Sequence, residues 1–332
     1  MNMKPLLPVI TPNNAARLTR VRQLGSPRTE VGRGQHLGFA PTGNHLFAKD
    51  KSGSGMRWWK SLGDAEETAG DGEFTLAAFK PGFIRDSSIV GIGAPVAAAA
   101  VPWRYRLMDL SVENGELRRE AALPSTVSGF GTSWNDLALV LMEEDEAQLW
   151  NLDTWRLVRG LGGIDAPARV TGCAFSPEGR YVAAVGTLDD GTQSGIWLWD
   201  LEKGTGPDYL PLTARFIWSV AFHPSEPLLV AGGDTIVVDV VDVKEVRITR
   251  TLKNFYCLPS SLNFNPAGDL LVVGGAGQSF AVHRFDTGAR MFSHEDDNEF
   301  QSSDALFSPD GRFIAWGQGD GTVGLWGVAS VS

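Results

Sequence analysis

The residues in this chain that could do chemistry are scattered rather than grouped. Five histidines occur, His36, His45, His223, His283 and His294, and no two stand at a spacing that would put both imidazoles on one metal. The patterns that place a nucleophile, cradle a phosphate or ligate zinc are absent: there is no Gly-x-Ser-x-Gly elbow, no phosphate loop and no His-Glu-x-x-His stretch. Gly91-Ile92-Gly93 and Gly274-Gly275-Ala276-Gly277 are glycine-rich, yet neither opens a helical pattern, so the dinucleotide fingerprint does not apply. Cys173 and Cys257 each lie in an apolar stretch, which suits small buried thiols and supports neither a disulfide framework nor a metal pattern. No catalytic residue, metal or cofactor is therefore expected. One route to chemistry stays open, because carboxylates brought together from distant parts of the chain leave no linear spacing to read.

Charge points toward recognition instead. Twenty-nine Lys and Arg face 39 Asp and Glu, giving a net charge of -10. An acidic chain is repelled by phosphate backbones, so nucleic acid is not an expected partner. The one basic stretch of note, Lys4, Arg17, Arg20, Arg22, Arg28 and Arg33 against Glu30, reads as a solvated edge. The acidic residues gather in runs: Glu143-Glu144-Asp145-Glu146, then Glu295-Asp296-Asp297 with Glu299, and Asp64 with Glu66-Glu67. The apolar run at residues 96–101 is far too short to span a bilayer. Pro8 splits Leu6-Leu7 from Val9-Ile10, so the opening segment does not read as a signal peptide. No membrane association is expected, and two cysteines fit a reducing, cytoplasmic location.

The elements that must position these residues repeat. Thirty-nine Gly and 18 Pro without a Gly-X-Y period imply many tight turns between short strands. A Phe-x-Pro-type turn recurs as Gly38-Phe39-Ala40-Pro41, Ala78-Phe79-Lys80-Pro81, Ala174-Phe175-Ser176-Pro177, Ala221-Phe222-His223-Pro224, Asn263-Phe264-Asn265-Pro266 and Leu306-Phe307-Ser308-Pro309, with a weaker copy at Gly129-Phe130-Gly131-Thr132. Phe anchors a first strand, and Pro, lacking an N–H, stops it. An apolar residue seven positions later opens a second strand: Leu46, Leu137, Val182, Leu229, Leu271 and Ile314; the second copy needs extra residues to reach Ile89-Val90. Third strands end at Trp59, Met108, Trp150, Trp199, Val241, Phe285 and Trp326, and Asp follows at Asp109, Asp200, Asp242 and Asp286. Fourth stretches such as Arg156-Leu157-Val158-Arg159 alternate with charge, as exposed outer edges do.

On these motifs, and on the third-strand segments Ile196-Trp197-Leu198-Trp199-Asp200 and Gly321-Thr322-Val323-Gly324-Leu325-Trp326, the chain resembles the WD-repeat β-propeller family. The resemblance implies an all-β, seven-bladed propeller with four-stranded antiparallel blades, one domain over residues 1–332, and first-strand Phe at 39, 79, 130, 175, 222, 264 and 307. Asp320 and Asp190 match the family's turn aspartate, but its Gly-His dipeptide is missing, which puts the usual Asp–His network in doubt. The last repeat has three strands only. Residues 17–25, alternating polar and apolar, are expected to supply its fourth and close the ring, with residues 1–16 as a flexible extension.

The resemblance also implies a face built from the connections between blades and the turns between second and third strands, where the acidic runs fall. Trp218 sits four residues before Phe222, where the other repeats carry Gln35, Thr75, Thr126, Thr171, Ser260 and Ser303. With Arg215, Phe216 and, in the next connection, Tyr256, it is the expected anchor for a partner. Glu143, Glu144, Asp145, Glu146, Asp296 and Asp297 would attract a basic segment of that partner. The expected function is a non-enzymatic scaffold for a protein or peptide; the alternative is an enzyme, or a small-ligand or metal binder, using the central channel.

Overall fold

The computed structural model describes residues 7–27, 34–51, 55–60, 62, 68–73, 79–93, 105–143, 147–164, 168–188, 191, 193–253, 255–275, 279–295 and 302–329. The described residues form seven four-stranded antiparallel sheets, each a blade, whose first strands pack side by side in a closed ring. The first strands are Gln35–Phe39, Gly82–Arg85, Val127–Ser133, Ala168–Phe175, Ile217–Phe222, Pro259–Phe264 and Ala305–Phe307, for blades 1 to 7. Second strands such as Leu270–Gly275 are buried along their whole length, whereas outer strands such as Leu117–Ala122 are largely exposed.

Register gives the blades a common frame. Phe39 lies opposite Leu46, which lies opposite Trp59; the same column runs Phe175, Val182, Trp199 in blade 4 and Phe307, Ile314, Trp326 in blade 7. Four sequence assignments shift against this frame. In blade 2 the column is Phe83, Ile89, Leu110, so Phe83 and Leu110 hold the places expected for Phe79 and Met108. The cause is a two-residue turn between Arg85 and Ser88, which leaves Phe79 in a bend ahead of the strand. In blade 3 a short turn pairs Ser133 with Leu137, so the column is Thr132, Ala138, Trp150, and Phe130 sits two residues away yet stays buried. In blade 6 the third strand ends at Arg284, and His283 rather than Phe285 stands opposite Leu271.

The residue after the third-strand column caps the turn into the outer strand. Ser111 accepts the Glu113 N–H at 3.2 Å, Asn151 that of Thr154 at 2.8 Å, Asp200 that of Glu202 at 3.0 Å and Asp242 that of Lys244 at 2.8 Å. The blade 2 cap is thus Ser111. Asp109 is instead buried within the third strand and paired with Arg119 through two bonds of 2.9 and 2.7 Å.

The ring closes as the alternation predicts. Strand Leu18–Leu24 pairs antiparallel with Val323–Val328, with Leu18 opposite Val328 and Leu24 opposite Val323, completing blade 7. Residues 7–16, expected as a flexible extension, are packed down instead. Ile10 and Ala15 are fully buried in the core shared by blades 6 and 7, and the Ile10 N–H donates to the Gly311 carbonyl at 2.8 Å. Burial of Ile10 and Ala15, together with the backbone bond to Gly311, offsets part of the entropy lost on ordering this stretch.

Candidate binding face

The connections from outer strand to next first strand, and the turns from second to third strand, emerge on one side of the ring. On blade 5 that side carries an apolar patch with a rigid backbone. The connection at Arg215 and Phe216 is locked to the turn at Asp234: the Phe216 N–H donates to Asp234 Oδ1 at 3.0 Å, and the Asp234 N–H returns to the Phe216 carbonyl at 2.9 Å. The far end of the same turn accepts the Phe255 N–H on the Ile236 carbonyl at 3.2 Å, tying in the next connection. Phe216 and Ile236 are left 39% and 48% exposed although both are large and apolar. The Arg215 guanidinium lies 5.1 Å from the Phe216 ring, covering one face of it.

Trp218 is the extra residue of a β-bulge between Ile217 and Ser219, and is half-buried. The bulge recurs at Thr171 and Ser260, whose hydroxyls donate back to second-strand carbonyls, Val185 at 3.2 Å and Gly274 at 2.8 Å. In blade 3 the bulged residue is Ser128, not Thr126, following the shift of that blade's register. Trp218 makes no such return bond among the described contacts. Tyr256, next to Phe255, donates its hydroxyl to Glu295 at 2.6 Å and has the Arg290 guanidinium 4.8 Å from its ring. The Glu295 bond and partial burial raise its phenol above the ordinary range.

Hydrogen bonds thus join the connection at Phe216 to the turn at 234–236 and that turn to Phe255, beside Tyr256, while Trp218 follows two residues after Phe216 in the first strand. Glu143 is exposed on the same side, at a blade 3 turn separated from this patch by all of blade 4. Glu144, Asp145, Glu146, Asp296 and Asp297 lie outside the described residues, as do residues 96–101 and Asp190. Sequence reasoning missed Ile236 and Asp234. Their signal was an apolar residue one position before the strand Val237–Asp242, in a turn otherwise made of polar residues.

A family profile described as "WD domain, G-beta repeat" matches residues 156–200 and 211–238, which run from the outer strand of blade 3 through the third strand of blade 4 and into the third strand of blade 5. Those repeats sit within seven like blades. Together they support a WD-repeat β-propeller family. No curated protein matches it. WD-repeat propellers generally serve as protein-interaction scaffolds. Among the described residues no three His, Cys, Asp or Glu side chains gather as a metal site requires, and no helix is long and apolar enough to cross a membrane.

The chain departs from the WD-repeat pattern at the turn aspartate. Asp320 accepts the Thr322 N–H at 3.0 Å and lies 2.6 Å from the Thr322 hydroxyl, a local turn rather than a bond to histidine. Further in, toward the axis, sequence reasoning missed a charged cluster. The Asp304 carboxylate is buried at the start of blade 7's first strand. It takes the Lys80 ammonium at 2.7 Å, the Lys51 ammonium at 3.3 Å and the Leu37 N–H at 3.1 Å. Burial alone would raise this carboxyl, but Lys80 and Lys51 outweigh burial and hold it well below the usual range. His36 Nδ1 stands 3.6 Å from the carboxylate, and burial pushes that imidazole down to about 4, so it is neutral at pH 7.

Proposed function

We propose that this propeller is a non-enzymatic scaffold, and that it holds a protein or peptide partner against the patch formed by Arg215, Phe216, Trp218, Ile236 and Tyr256. The observation carrying this reading is the exposure of Phe216 and Ile236 on backbone fixed by three hydrogen bonds. Large apolar side chains on rigid loops bury area on binding at little entropic cost, and aromatic and Arg residues are the usual anchors of such contacts. The partner carries a basic segment. The acidic turns, Glu143 among them, speed and orient its approach rather than supply most of the affinity. The protein meets it in a reducing, cytoplasmic setting.

The test is affinity capture from native lysate with wild type, Phe216→Ala, Trp218→Ala and a Glu143→Gln/Glu144→Gln/Glu146→Gln triple variant. A partner held by wild type should fall at least about tenfold in yield with either aromatic variant. The triple variant should instead reduce the salt sensitivity of capture. Capture indifferent to both aromatic changes would move the binding face elsewhere.

A further inference from the structure

The charged cluster near the axis follows from a pattern of the ring itself. Three residues before each column residue of the first strand, the side chain can reach the next blade. There it accepts the N–H of the residue two before that blade's column. Ser219 does this for Leu262 at 2.9 Å, Ser261 for Ala305 at 3.0 Å and Asp304 for Leu37 at 3.1 Å. The corresponding residues of blades 3 and 4 are Gly129 and Gly172, and those of blades 1 and 2 are His36 and Lys80. A serine hydroxyl therefore suffices for the structural bond. A buried carboxylate at this position costs desolvation that serine avoids. Its presence, with histidine and lysine in the next two blades, exceeds what joining blades requires.

We propose that the inner ends of blades 7, 1 and 2 form an oxyanion site, in which Lys51 and Lys80, anchored on Asp304, take a carboxylate or phosphoryl group arriving from the loop-bearing face. Each ammonium offers three donors, and among the described residues each is assigned one acceptor group, the shared Asp304 carboxylate. Two positive charges on one negative leave an excess of one. Lys80 is 41% exposed and Lys51 17%, so an incoming group can reach both without unfolding anything. The same pattern breaks at His36, whose buried Nδ1 cannot receive the N–H that its counterparts receive, because that position in blade 2 is Pro81. The site is independent of the patch on blades 5 and 6, and its test needs no partner.

Calorimetric titration at constant ionic strength would use two probes, inorganic phosphate and an acetylated Glu-Glu amide. Saturable one-to-one binding of either probe is the expected result. Phosphate binding alone marks a site for free anions, and tighter binding of the peptide marks one for a partner's carboxylates. Lys51→Gln and Lys80→Gln should each weaken binding about tenfold, the worth of one hydrogen bond between charged groups, while Lys80→Arg retains it. Melting curves and circular dichroism of each variant verify the fold. No saturable heat with either probe overturns the site, as does wild-type affinity in a folded Lys51→Gln/Lys80→Gln double variant.

Discussion

Lys49 carries its charge into a part of blade 1 that has no solvent contact. The side chain is fully buried, with its ammonium donating to the Asp50 carbonyl at 3.0 Å, and burial pushes it down to about 8. A lysine pushed down by burial costs stability while it is charged, so Lys49→Met should gain about 1–3 kcal/mol in urea unfolding at pH 7. The pH dependence has a definite sign. Below pH 8 the lysine is charged in folded and unfolded chains alike, and its cost is constant. Between 8 and 10.5 the folded protein binds fewer protons than the unfolded one, so wild-type stability rises and the advantage of Met shrinks. A gain unchanged from pH 7 to pH 10 would contradict this assignment. Side-chain identity also explains what the sequence hid here. The column that Trp occupies in blades 1, 3, 4 and 7 takes Leu110, Val241 and His283 in blades 2, 5 and 6; Val241 was legible from the spacing, whereas only register identifies Leu110 and His283.

The turn from third to outer strand shows why some elements were legible and others were not. Four residues after the third-strand end position the backbone enters the left-handed region in five blades, at Gly115 (φ 73°), Trp155 (57°), Gly204 (68°), Val246 (49°) and Gly288 (72°). Three blades meet this need with glycine, and two hold a side chain in a strained conformation. A Cβ at Gly288 would meet Leu252 at an ordinary 3.7 Å, so strain rather than collision decides the cost there. Gly288→Ala should therefore lose about 1–2 kcal/mol by denaturant unfolding, and a neutral result would contradict the shared turn geometry. Blades 4, 5 and 7 were readable because their first turns have the length that the Phe-x-Pro spacing implies. Blades 2 and 3 were not, because short turns at residues 86–87 and 134–136 slide the register while leaving the composition unchanged.

Seven blades and their closure could be read from the sequence, because a three-stranded last repeat and an alternating first segment each lack what the other supplies. Removing residues 1–25 deletes the outer strand of blade 7 and uncovers the core that Ile10, Ala15, Leu18 and Leu24 seal, so the melting temperature should fall sharply. An unchanged melt would contradict the closure. The binding face was legible only in part. Phe216 and Tyr256 announced themselves as aromatics in connections, and Trp218 as an aromatic where the other repeats carry small or polar residues. Ile236 and the Asp304 cluster depend on which turns and blade ends meet across the ring, which linear spacing does not record. The capture experiment with Phe216→Ala and Trp218→Ala, followed by cross-linking of the retained partner, tests the proposed face most directly. The account predicts cross-links confined to residues flanking 212–218, 234–236 and 255–258, with both aromatic variants losing the partner. Cross-links concentrated on the opposite turns, at residues 134–136 and 153–155, with capture intact in both variants, would contradict it.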